Sequence, residues 1–312
     1  MIPEISVLVP VKNGGETFIR FLGSLAAQDI QNPWELVIAD DGSDIPVAQE
    51  FSRQLEELPD LCSLKVLRIY PGGVRPKARN QALKASEARV ALLMDADLEF
   101  APSLLRRHLE IRHETGSDVV MGRRVNAYSD KATPWQKWFD SRAMGNAAAG
   151  EFPWNYFITG NLSITRTILE EAGGFDTAIN RYGGEDTELG YRLHQSGVSF
   201  YWEPDLAVDH LDDVSVRKHS EKMLEYGGTG LRYMLDKHPD INRLLGSQWV
   251  EPLFSKPGHL CFMRMLTRGA LTGSVYRAVL KYAEKHGRPS ILFTYLAVGA
   301  CLIGLRGGDY RK

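Results

Sequence analysis

The sequence predicts an α/β fold, in which helices flank a mostly parallel sheet and a helical C-terminal extension follows. Over the first 121 residues, apolar β-branched runs alternate with stretches of helical period. Such alternation is typical of βαβ units, whose strands lie parallel in one sheet. Beyond residue 213 the period is mainly helical. We therefore expect one α/β domain over residues 1–214, with halves at 1–121 and 122–214, and a helical region over 215–312.

Each predicted element has a local signal. Short runs rich in Val, Ile and Leu predict buried strands in the first half, at residues 5–11, 34–39, 64–69, 90–94 and 118–121. Apolar residues at helical spacing predict the intervening helices, at residues 16–28, 47–58, 76–86 and 102–114. The same signals continue in the second half, with strands at 157–164 and 198–202 and helices at 166–172, 215–237, 263–286 and 291–305. Residues 123–157 interrupt the pattern with many aromatic side chains. Together they predict a lid or binding wall beside a site, and the alternative for each residue is packing under a long loop.

Composition and charge narrow the function classes. The chain has 312 residues with 37 Lys and Arg against 39 Asp and Glu, a balance that argues against broad nucleic-acid binding. Its three cysteines, Cys62, Cys261 and Cys301, form no zinc spacing or disulfide framework, which fits a reducing compartment. The first strand starts where a signal peptide would lie, so we expect a cytoplasmic protein. The apolar run 291–305 is shorter than the roughly 20 residues of a spanning helix. It predicts a buried helix, or an interfacial one that gives peripheral contact with the inner membrane face through 289–312.

Two carboxylates follow the fourth predicted strand. Asp95 and Asp97 are spaced i, i+2, so both can face one cation or one sugar phosphate at the carboxyl end of the strand, where open α/β sheets bind ligands. The alternative is an ordinary turn, where Asp is common. The loop after the first strand has neither a dinucleotide fingerprint nor a phosphate-binding P-loop. Dehydrogenases and P-loop enzymes are therefore disfavoured.

A second acidic pair follows two glycines. Gly183 and Gly184 permit unusual backbone angles and close approach of a ligand. Glu185 and Asp186 then fall in the first turn of a predicted helix, where ionised carboxylates are favoured. A helix start with ordinary acidic residues remains the alternative.

Five blocks, taken in order, resemble the family-2 glycosyltransferases, which are inverting enzymes of the GT-A fold. The blocks are residues 7–13, Ala-Asp-Asp-Gly-Ser at 39–43, Ala-Arg-Asn at 78–80, Asp-Ala-Asp at 95–97 and Gly-Gly-Glu-Asp at 183–186, leading to His210. The resemblance runs from about residue 5 to 210. Residues 157–163 and 174–176 are closest to the chondroitin-polymerase and β-1,4-galactosyltransferase branch. Two positions depart from these patterns: Val11-Lys12 replaces a frequent aromatic, and Tyr182 replaces a usual Trp.

The resemblance implies a role for each matching residue. Asp41 would bind the uracil of a UDP-sugar, and Asp186 would be the general base, with Glu185 holding sugar hydroxyls. Asp97 and His210 would bind the metal, and Asp95 would face the ribose or the metal. The remaining nucleotide contacts would come from Pro10, Val11, Asn13, Arg79 and Ala96. The acceptor would meet Trp154, Tyr182, Gly183 and Gly184.

These implied roles fit the chemistry of sugar transfer. A divalent cation, Mn²⁺ or Mg²⁺, neutralises the leaving diphosphate, and a carboxylate removes the acceptor proton. The expected partners are a UDP-sugar and a glycan or lipid-linked acceptor. The alternatives are a non-catalytic nucleotide-sugar or glycan-binding subunit and a sugar-phosphate nucleotidyltransferase, whose Gly-rich signature is absent. A glycoside hydrolase would not need Asp41 and Asp97, and a calcium loop would need Gly where Phe100 stands.

Overall fold

The chain forms two compact units in a computed structural model that describes residues 2–127, 132–142, 144–212, 215–242, 265–287 and 290–311. Unit 1 comprises Met1–Ser129, Asp140–Asn180 and Asp186–Asp212. Unit 2 comprises Asp130–Phe139, Arg181–Glu185 and Asp213–Lys312. Two short segments of the N-terminal part thus belong to unit 2, whereas the predicted boundary at residue 214 left them in the α/β domain.

Unit 1 is built on one sheet, which has nine strands within the described residues. The strands are β1 (Ile5–Val11), β2 (Trp34–Asp40), β3 (Cys62–Arg68), β4 (Val90–Met94), β5 (Leu98–Phe100), β6 (Val119–Asn126), β7 (Gly150–Glu151), β8 (Asn161–Thr165) and β9 (Phe200–His210). Their order is β3-β2-β1-β4-β8-β6-β9-β5, and β7 pairs with β9. The predicted mostly parallel sheet is therefore confirmed, and the structure adds antiparallel pairs that make it mixed.

The parallel strands direct their carboxyl ends to one edge of the sheet. β1 pairs in parallel with β2 and β4, and β2 with β3. β8 is antiparallel to both β4 and β6, which makes the sheet mixed from this point. Loops that carry Asn13, Asp41 and Asp95 leave the sheet at the same edge, as ligand-binding loops of open α/β sheets do.

Helices of unit 1 flank the sheet, and most of them match the predicted positions. They are α1 (Gly15–Ala26), α2 (Val47–Glu50), α3 (Ser52–Glu56), α4 (Arg75–Ala85), α5 (Leu104–Thr115), α7 (Arg166–Glu171) and α8 (Glu185–Gln195). The first residue of α8, Glu185, belongs to unit 2. The predicted helix 47–58 is divided at Phe51, whose ring packs edge-on against Phe18 with centroids 5.0 Å apart. β9 extends eight residues beyond the predicted strand end at 202, and the short strand β5 was not predicted.

Unit 2 consists mainly of helices. They are α6 (Pro134–Asp140), α9 (Val216–Gly228), α10 (Gly230–Lys237), α11 (Gly273–His286) and α12 (Ser290–Leu305). α6 carries one residue, Asp140, of unit 1. The predicted helix 215–237 is interrupted at Thr229, and the predicted start near residue 263 lies outside the described residues. α9 and α12 pack with backbones almost in contact, because a Cβ added to Gly227 would lie 1.9 Å from the Cys301 carbonyl oxygen.

Within the described residues of the aromatic stretch, three of the large side chains pack in hydrophobic cores and do not line a lid or binding wall. Trp135 lies on α6 and packs inside unit 2, with its ring 5.2 Å from that of Phe293. Phe152 and Phe157 are buried in unit 1, where both contact the ring of Phe200. These side chains contribute to two hydrophobic cores, so their clustering in sequence has a packing cause.

The apolar segment near the C-terminus is largely buried within unit 2. In α12 the side chains of Phe293, Leu296 and Ile303 are at most 3% exposed, whereas Ile291 is 71% exposed and Val298 53% exposed. In the part of the chain that the structure describes, no helix combines the length and apolar character needed to cross a membrane.

Candidate active site

Asp41 lies at the carboxyl end of β2, where the sequence predicts a nucleotide contact. Its backbone N–H donates to the Val11 carbonyl oxygen at 2.7 Å. Its side-chain Oδ1 accepts hydrogen bonds from the backbone N–H groups of Gly73, at 2.8 Å, and Val74, at 3.4 Å. Oδ2 has no hydrogen-bond partner among the described residues. The side chain is 7% exposed, so one fixed oxygen remains for a donor group of a ligand.

The loops after β1 and β2 are joined by side-chain hydrogen bonds. Asn13 adopts a left-handed conformation with φ of 52° and exchanges hydrogen bonds with Asp44 in both directions, at 2.9 and 3.2 Å. The Asn13 backbone N–H also donates to Ser43 Oγ. The Asn13 amide is therefore committed to shaping the loop. A nucleotide would therefore contact the loop that Asn13 shapes, and not a free Asn13 side chain.

Asp40 and Arg68 stabilise the turn that follows β2. No sequence motif had identified Arg68. Asp40 is buried and accepts from the backbone N–H groups of Ser43 and Val47. Arg68 donates to Asp40 Oδ2 at 2.8 Å and to the Ser43 carbonyl oxygen at 2.7 Å. This pair fixes the turn that presents Asp41.

Two of the predicted nucleotide contacts occupy different surroundings. Pro10 is half-buried at the end of β1. Val11 is 1% exposed and belongs to the hydrophobic core of unit 1, so a nucleotide contact by its side chain conflicts with its burial. Ala96 is half-buried between Asp95 and Asp97 and packs against the same core.

Arg79 connects the two acidic pairs that the sequence singled out. Its guanidinium donates to Asp186 Oδ1 at 3.0 Å and to Asp95 Oδ1 at 3.1 Å. The same Nη2 donates to the Thr159 carbonyl oxygen at 3.2 Å. Arg79 is 3% exposed, and in such surroundings a charged group requires partners of this kind. The strand-end carboxylate and the helix-start carboxylate therefore form one cluster within unit 1.

The residues around this cluster are themselves held in place. The Asn80 side chain exchanges two hydrogen bonds of 2.8 Å with the backbone of Phe175. The Arg79 guanidinium lies 5.1 Å from the centroid of the Phe175 ring. Arg192 of α8 donates to the Gly174 carbonyl oxygen and to Glu188, which is fully buried. The loop 174–176 that the sequence highlighted thus positions Arg79 and α8.

Asp95 and Arg124 form the second ion pair of the cluster. Arg124 Nη1 donates to Asp95 Oδ2 at 2.8 Å, so both oxygens of Asp95 accept from arginines. A Cβ added to Gly160 would lie 2.5 Å from Arg124 Nη1 and 2.8 Å from Asp95 Oδ2. A side chain at Gly160 would therefore displace the ends of the Asp95 and Arg124 side chains. Each oxygen of Asp95 keeps one lone pair beyond its bond to an arginine.

Asp97 and His210 lie together at the junction of β5 and β9. His210 pairs with Leu98 in the antiparallel register, and its Nε2 lies 3.4 Å from Asp97 Oδ2. Burial, the largest influence, would raise the pKa of Asp97. The hydrogen bond and charge of His210, with the charge of Arg124, outweigh it and hold that pKa below its ordinary value. An ionised carboxylate beside an imidazole is a donor set that Mn²⁺ accepts.

One buried oxygen supports a cation at this position. Asp97 Oδ1 is inaccessible to solvent and has no hydrogen-bond partner among the described residues. An unsatisfied buried carboxylate oxygen is costly unless a donor or a cation meets it. The described residues contain no group of three or more His, Cys, Asp and Glu side chains placed to hold a metal. The donor set of Asp97 and His210 therefore fits a divalent cation.

The two glycines that were predicted to contact the acceptor are required by the packing of unit 2. Gly183 and Gly184 have φ of 86° and 100°, which other residues rarely adopt. A Cβ on Gly183 would lie 3.0 Å from the Tyr226 ring, and one on Gly230 would lie 1.9 Å from the Gly183 carbonyl oxygen. Glycine is thus needed here for packing on α9 and α10, whatever ligand approaches.

The two residues on either side of these glycines are also in unit 2. Tyr182 is half-buried, and Lys222 Nζ lies 5.4 Å from its ring centroid. Glu185 begins α8 and is 6% exposed. Asp186, the next residue, belongs to unit 1 and has a side chain that is 21% exposed.

Trp154 does not have the exposure that its predicted role requires. Its side chain is 8% exposed, and its ring meets Tyr191 of α8 edge-on with centroids 5.0 Å apart. The backbone at Trp154 also lies close to Gly190, since a Cβ there would be 2.8 Å from the Trp154 carbonyl oxygen. Stacking of a sugar on Trp154 conflicts with this burial.

Thr159 is a site residue that the sequence did not identify individually. Its hydroxyl donates to Asp186 Oδ1 at 2.6 Å, and its backbone N–H donates to Asp186 Oδ2 at 3.3 Å. Thr159 lies in the highlighted stretch 157–163, but a lone Thr before Gly has no chemical signature. Its importance follows from the contact with a residue 27 positions later.

The chain is similar to known glycosyltransferases. A family model described as glycosyl transferase family 2 matches residues 6–175, which is more than half of the chain. A second model, described as the N-terminal domain of galactosyltransferase, matches residues 143–214. Chondroitin synthase of Escherichia coli is 24% identical, over 64% of this chain and 33% of that protein. The chain thus spans a third of the length of this relative.

Solved structures share the fold over almost the whole chain. The mannosyltransferase PcManGT from Pyrobaculum calidifontis, in complex with GDP-Man and Mn²⁺, aligns with a TM-score of 0.62 and 18% identity over 99% of this chain and 89% of that one. S. aureus TarS 1–349, in complex with UDP-GlcNAc, aligns with a TM-score of 0.57 and 18% identity over 99% of this chain and 93% of that one. The predicted GT-A fold is therefore confirmed. Because the family model matches residues 6–175, from β1 through β8, the chain belongs to glycosyltransferase family 2.

Proposed function

We propose that this glycosyltransferase is metal-dependent and inverting, and that it moves a sugar from a UDP-sugar to a hydroxyl of a glycan or lipid-linked acceptor. The observation that carries the proposal is the Arg79 bridge, which holds Asp186 and the strand-end Asp95 in one cluster. A general base must lie close to the donor-binding groups, because the acceptor oxygen attacks the donor sugar directly.

Asp186 is the proposed base. It would accept the proton of the acceptor hydroxyl as that oxygen attacks the anomeric carbon and the bond to the diphosphate breaks. One displacement with one base inverts the configuration at that carbon. Asp41 Oδ2 would accept a hydrogen bond from the N–H of uracil, and Asp95 with Arg124 would orient the ribose and diphosphate. Glu185 and Tyr182, with Gly183 and Gly184, remain the proposed acceptor contacts.

Asp97 and His210 would hold the divalent cation, for which Asp97 Oδ1 is already desolvated and unpaired among the described residues. When bound, the cation supplies the positive charge that neutralises the departing diphosphate. Asp95 would face the ribose or the metal, and each of its oxygens also accepts a hydrogen bond from an arginine. Support for Mn²⁺ or Mg²⁺ also comes from the structural neighbour described with GDP-Man and Mn²⁺.

The donor and acceptor classes are inferred from relatives. TarS is described with UDP-GlcNAc and PcManGT with GDP-Man, so the base of the nucleotide is the first choice to test. Chondroitin synthase suggests a polysaccharide acceptor. A cytoplasmic position and membrane contact through residues 289–312 also remain predictions, and residues 288, 289 and 312 lie outside the described part of the chain.

The decisive experiment measures donor binding and sugar release together. Thermal shift and nucleotide release are followed with UDP-Glc, UDP-Gal, UDP-GlcNAc, UDP-GalNAc and GDP-mannose, with Mn²⁺ or with a chelator. We expect one UDP-sugar to stabilise the chain only with Mn²⁺. Asp186→Asn should keep this binding within about twofold and lose about 100-fold or more of the turnover rate, the usual range for a general base. His210→Ala should weaken the Mn²⁺-dependent binding.

Three outcomes would contradict the proposal in separable ways. Turnover by Asp186→Asn at the parent rate would remove the base assignment. Tight UDP binding that is insensitive to chelator in both the parent and His210→Ala would remove the metal site. Stabilisation by GDP-mannose alone would overturn the Asp41–uracil contact. Binding without any turnover in the parent chain would instead favour the non-catalytic sugar-binding subunit.

A further inference from the structure

The two oxygens of the Asp186 carboxylate have different surroundings. Oδ1 accepts two hydrogen bonds from side chains, one from the Thr159 hydroxyl at 2.6 Å and one from Arg79 Nη1 at 3.0 Å. Oδ2 accepts one long bond, from the Thr159 backbone N–H at 3.3 Å. These are the hydrogen bonds of Asp186 among the described residues. The carboxylate is thus anchored through one oxygen.

The groups that anchor Oδ1 are fixed by burial. Thr159 is 1% exposed and Arg79 is 3% exposed, whereas the Asp186 side chain is 21% exposed. Arg79 is held further by the Thr159 carbonyl oxygen and by Asp95. Thr159 therefore touches Asp186 from its hydroxyl and its N–H, and touches Arg79 from its carbonyl. Thr159 therefore fixes the positions of both the Asp186 carboxylate and the Arg79 guanidinium.

We infer that Thr159 is a positioning residue that makes Oδ2 of Asp186 the proton-accepting atom. An oxygen that already accepts a short hydroxyl bond and a charged N–H bond has little electron density left for a third proton. Oδ2 accepts only one long hydrogen bond, so it has a lone pair for the incoming proton. The Asp186 side chain is also more exposed than Thr159 or Arg79. This inference rests on the proposed function, because it assigns the atom within the proposed base.

The step balances as a single displacement. The acceptor O–H proton passes to Asp186 Oδ2, and the acceptor oxygen forms a bond to the anomeric carbon. The bond between that carbon and the diphosphate oxygen breaks, and its electron pair leaves with the nucleoside diphosphate. Thr159 and Arg79 take no proton. They keep the carboxylate from rotating, so that Oδ2 remains the oxygen with the weaker hydrogen bonding.

The experiment compares Thr159→Val, which keeps the shape and the backbone N–H but lacks the hydroxyl, with Thr159→Ser, which keeps the hydroxyl. Both are measured against the parent chain for hydrolysis of the UDP-sugar that the parent turns over fastest, with Mn²⁺. We expect Thr159→Val to lower kcat about tenfold with the donor KM within about twofold, as for loss of one hydrogen bond to a charged group. We expect Thr159→Ser to restore at least half of the parent kcat.

The pH dependence separates positioning from a general structural effect. A hydroxyl that donates to the ionised carboxylate favours that form, so its removal should move the acid limb of the kcat profile to higher pH. Thr159→Ser should return the limb to the parent position. If Thr159→Val does not fold, as judged by its thermal transition, Thr159→Ala provides the same comparison.

The result that overturns the inference is a Thr159→Val chain with the parent kcat and the parent acid limb. Asp186→Asn, assayed beside it, identifies which proposal has failed. If Asp186→Asn is inactive while Thr159→Val equals the parent, only the positioning role is wrong. If Asp186→Asn equals the parent, or the parent turns over none of the five donors, the proposed function is wrong and the inference falls with it.

Discussion

His108 is the clearest buried titratable side chain outside the candidate site. Its ring is completely buried, with Nε2 2.9 Å from Asn161 Oδ1 and Nδ1 3.1 Å from Ser163 Oγ. Burial, the largest influence, lowers the pKa of His108 to about 4. The hydrogen bond to Asn161 opposes this shift, and the charge of Arg112 adds to it. His108 is therefore a neutral core residue that joins α5 to β8.

This shift predicts a pH-dependent stability. The unfolded chain takes up the proton near pH 6.5, and the folded chain only near pH 4. The contribution of neutral His108 is thus complete above about pH 6.5 and falls by about 3 kcal/mol as the pH decreases to about 4. We expect urea unfolding of the parent chain to lose more stability between pH 8 and pH 5 than unfolding of His108→Gln, which has no titrating group. Equal losses in the two chains would contradict the shifted pKa.

Among the elements, the contact of α9 with α12 depends on glycines on both helices. A Cβ on Gly227 would meet the Cys301 carbonyl oxygen at 1.9 Å, and one on Gly304 would meet the Leu224 carbonyl oxygen at 2.1 Å. Real Cβ atoms do not approach backbone oxygens this closely, so either helix would have to move. Small residues on two helices allow their backbones to pack closely, which explains the glycines at Gly227 on α9 and Gly304 on α12.

Alanine at one of these glycines should therefore destabilise unit 2. We expect Gly227→Ala to lower the free energy of unfolding by about 1–3 kcal/mol, the usual cost of overpacking. Gly23→Ala is a matched control, since Gly23 lies in α1 and a Cβ there has no heavy atom within 4 Å. It should raise stability by about 0.5–1 kcal/mol through helix propensity. If both variants stabilise the chain to the same extent in chemical unfolding, the close packing of α9 on α12 is wrong.

At the scale of the whole molecule, charge is unevenly distributed along the chain. Residues 215–312 contain 16 Lys and Arg against seven Asp and Glu, whereas residues 1–214 contain 21 against 32. The net charge of −2 conceals this asymmetry. A basic helical region with a few exposed apolar side chains suits an anionic lipid surface better than a neutral one. We therefore expect the predicted membrane contact through residues 289–312 to depend on anionic lipid.

The membrane prediction can be tested by sedimentation with vesicles. We expect the chain to bind vesicles of phosphatidylcholine mixed with phosphatidylglycerol at low salt, and to be released as salt screens the basic region. Ile291→Ser with Val298→Ser, which changes two exposed positions of α12, should weaken the binding. Vesicles of phosphatidylcholine alone are the control. Equal binding to both kinds of vesicle, or binding to neither, would contradict the prediction.

The sequence by itself determined the order of strands and helices and the places where strand ends carry carboxylates. Those features depend on local periodicity, which survives without any knowledge of distant contacts. It also indicated the Ala-Arg-Asn block and the two acidic pairs as parts of one site. The local periodicity did not predict the division of the helix at Phe51 or the extra length of β9. Packing against neighbouring elements overrides a local period.

Only the tertiary structure decided which side chains meet. Arg79 contacts Asp95, 16 residues away, and Asp186, 107 residues away. It also showed that Trp154 is buried and that Asp97 Oδ1 is unpaired among the described residues. The physical reason is that burial and hydrogen-bond pairing depend on the packing of segments far apart in the chain. Sequence periodicity specifies an element and its buried face, whereas the fold determines which other residues of the chain that element contacts.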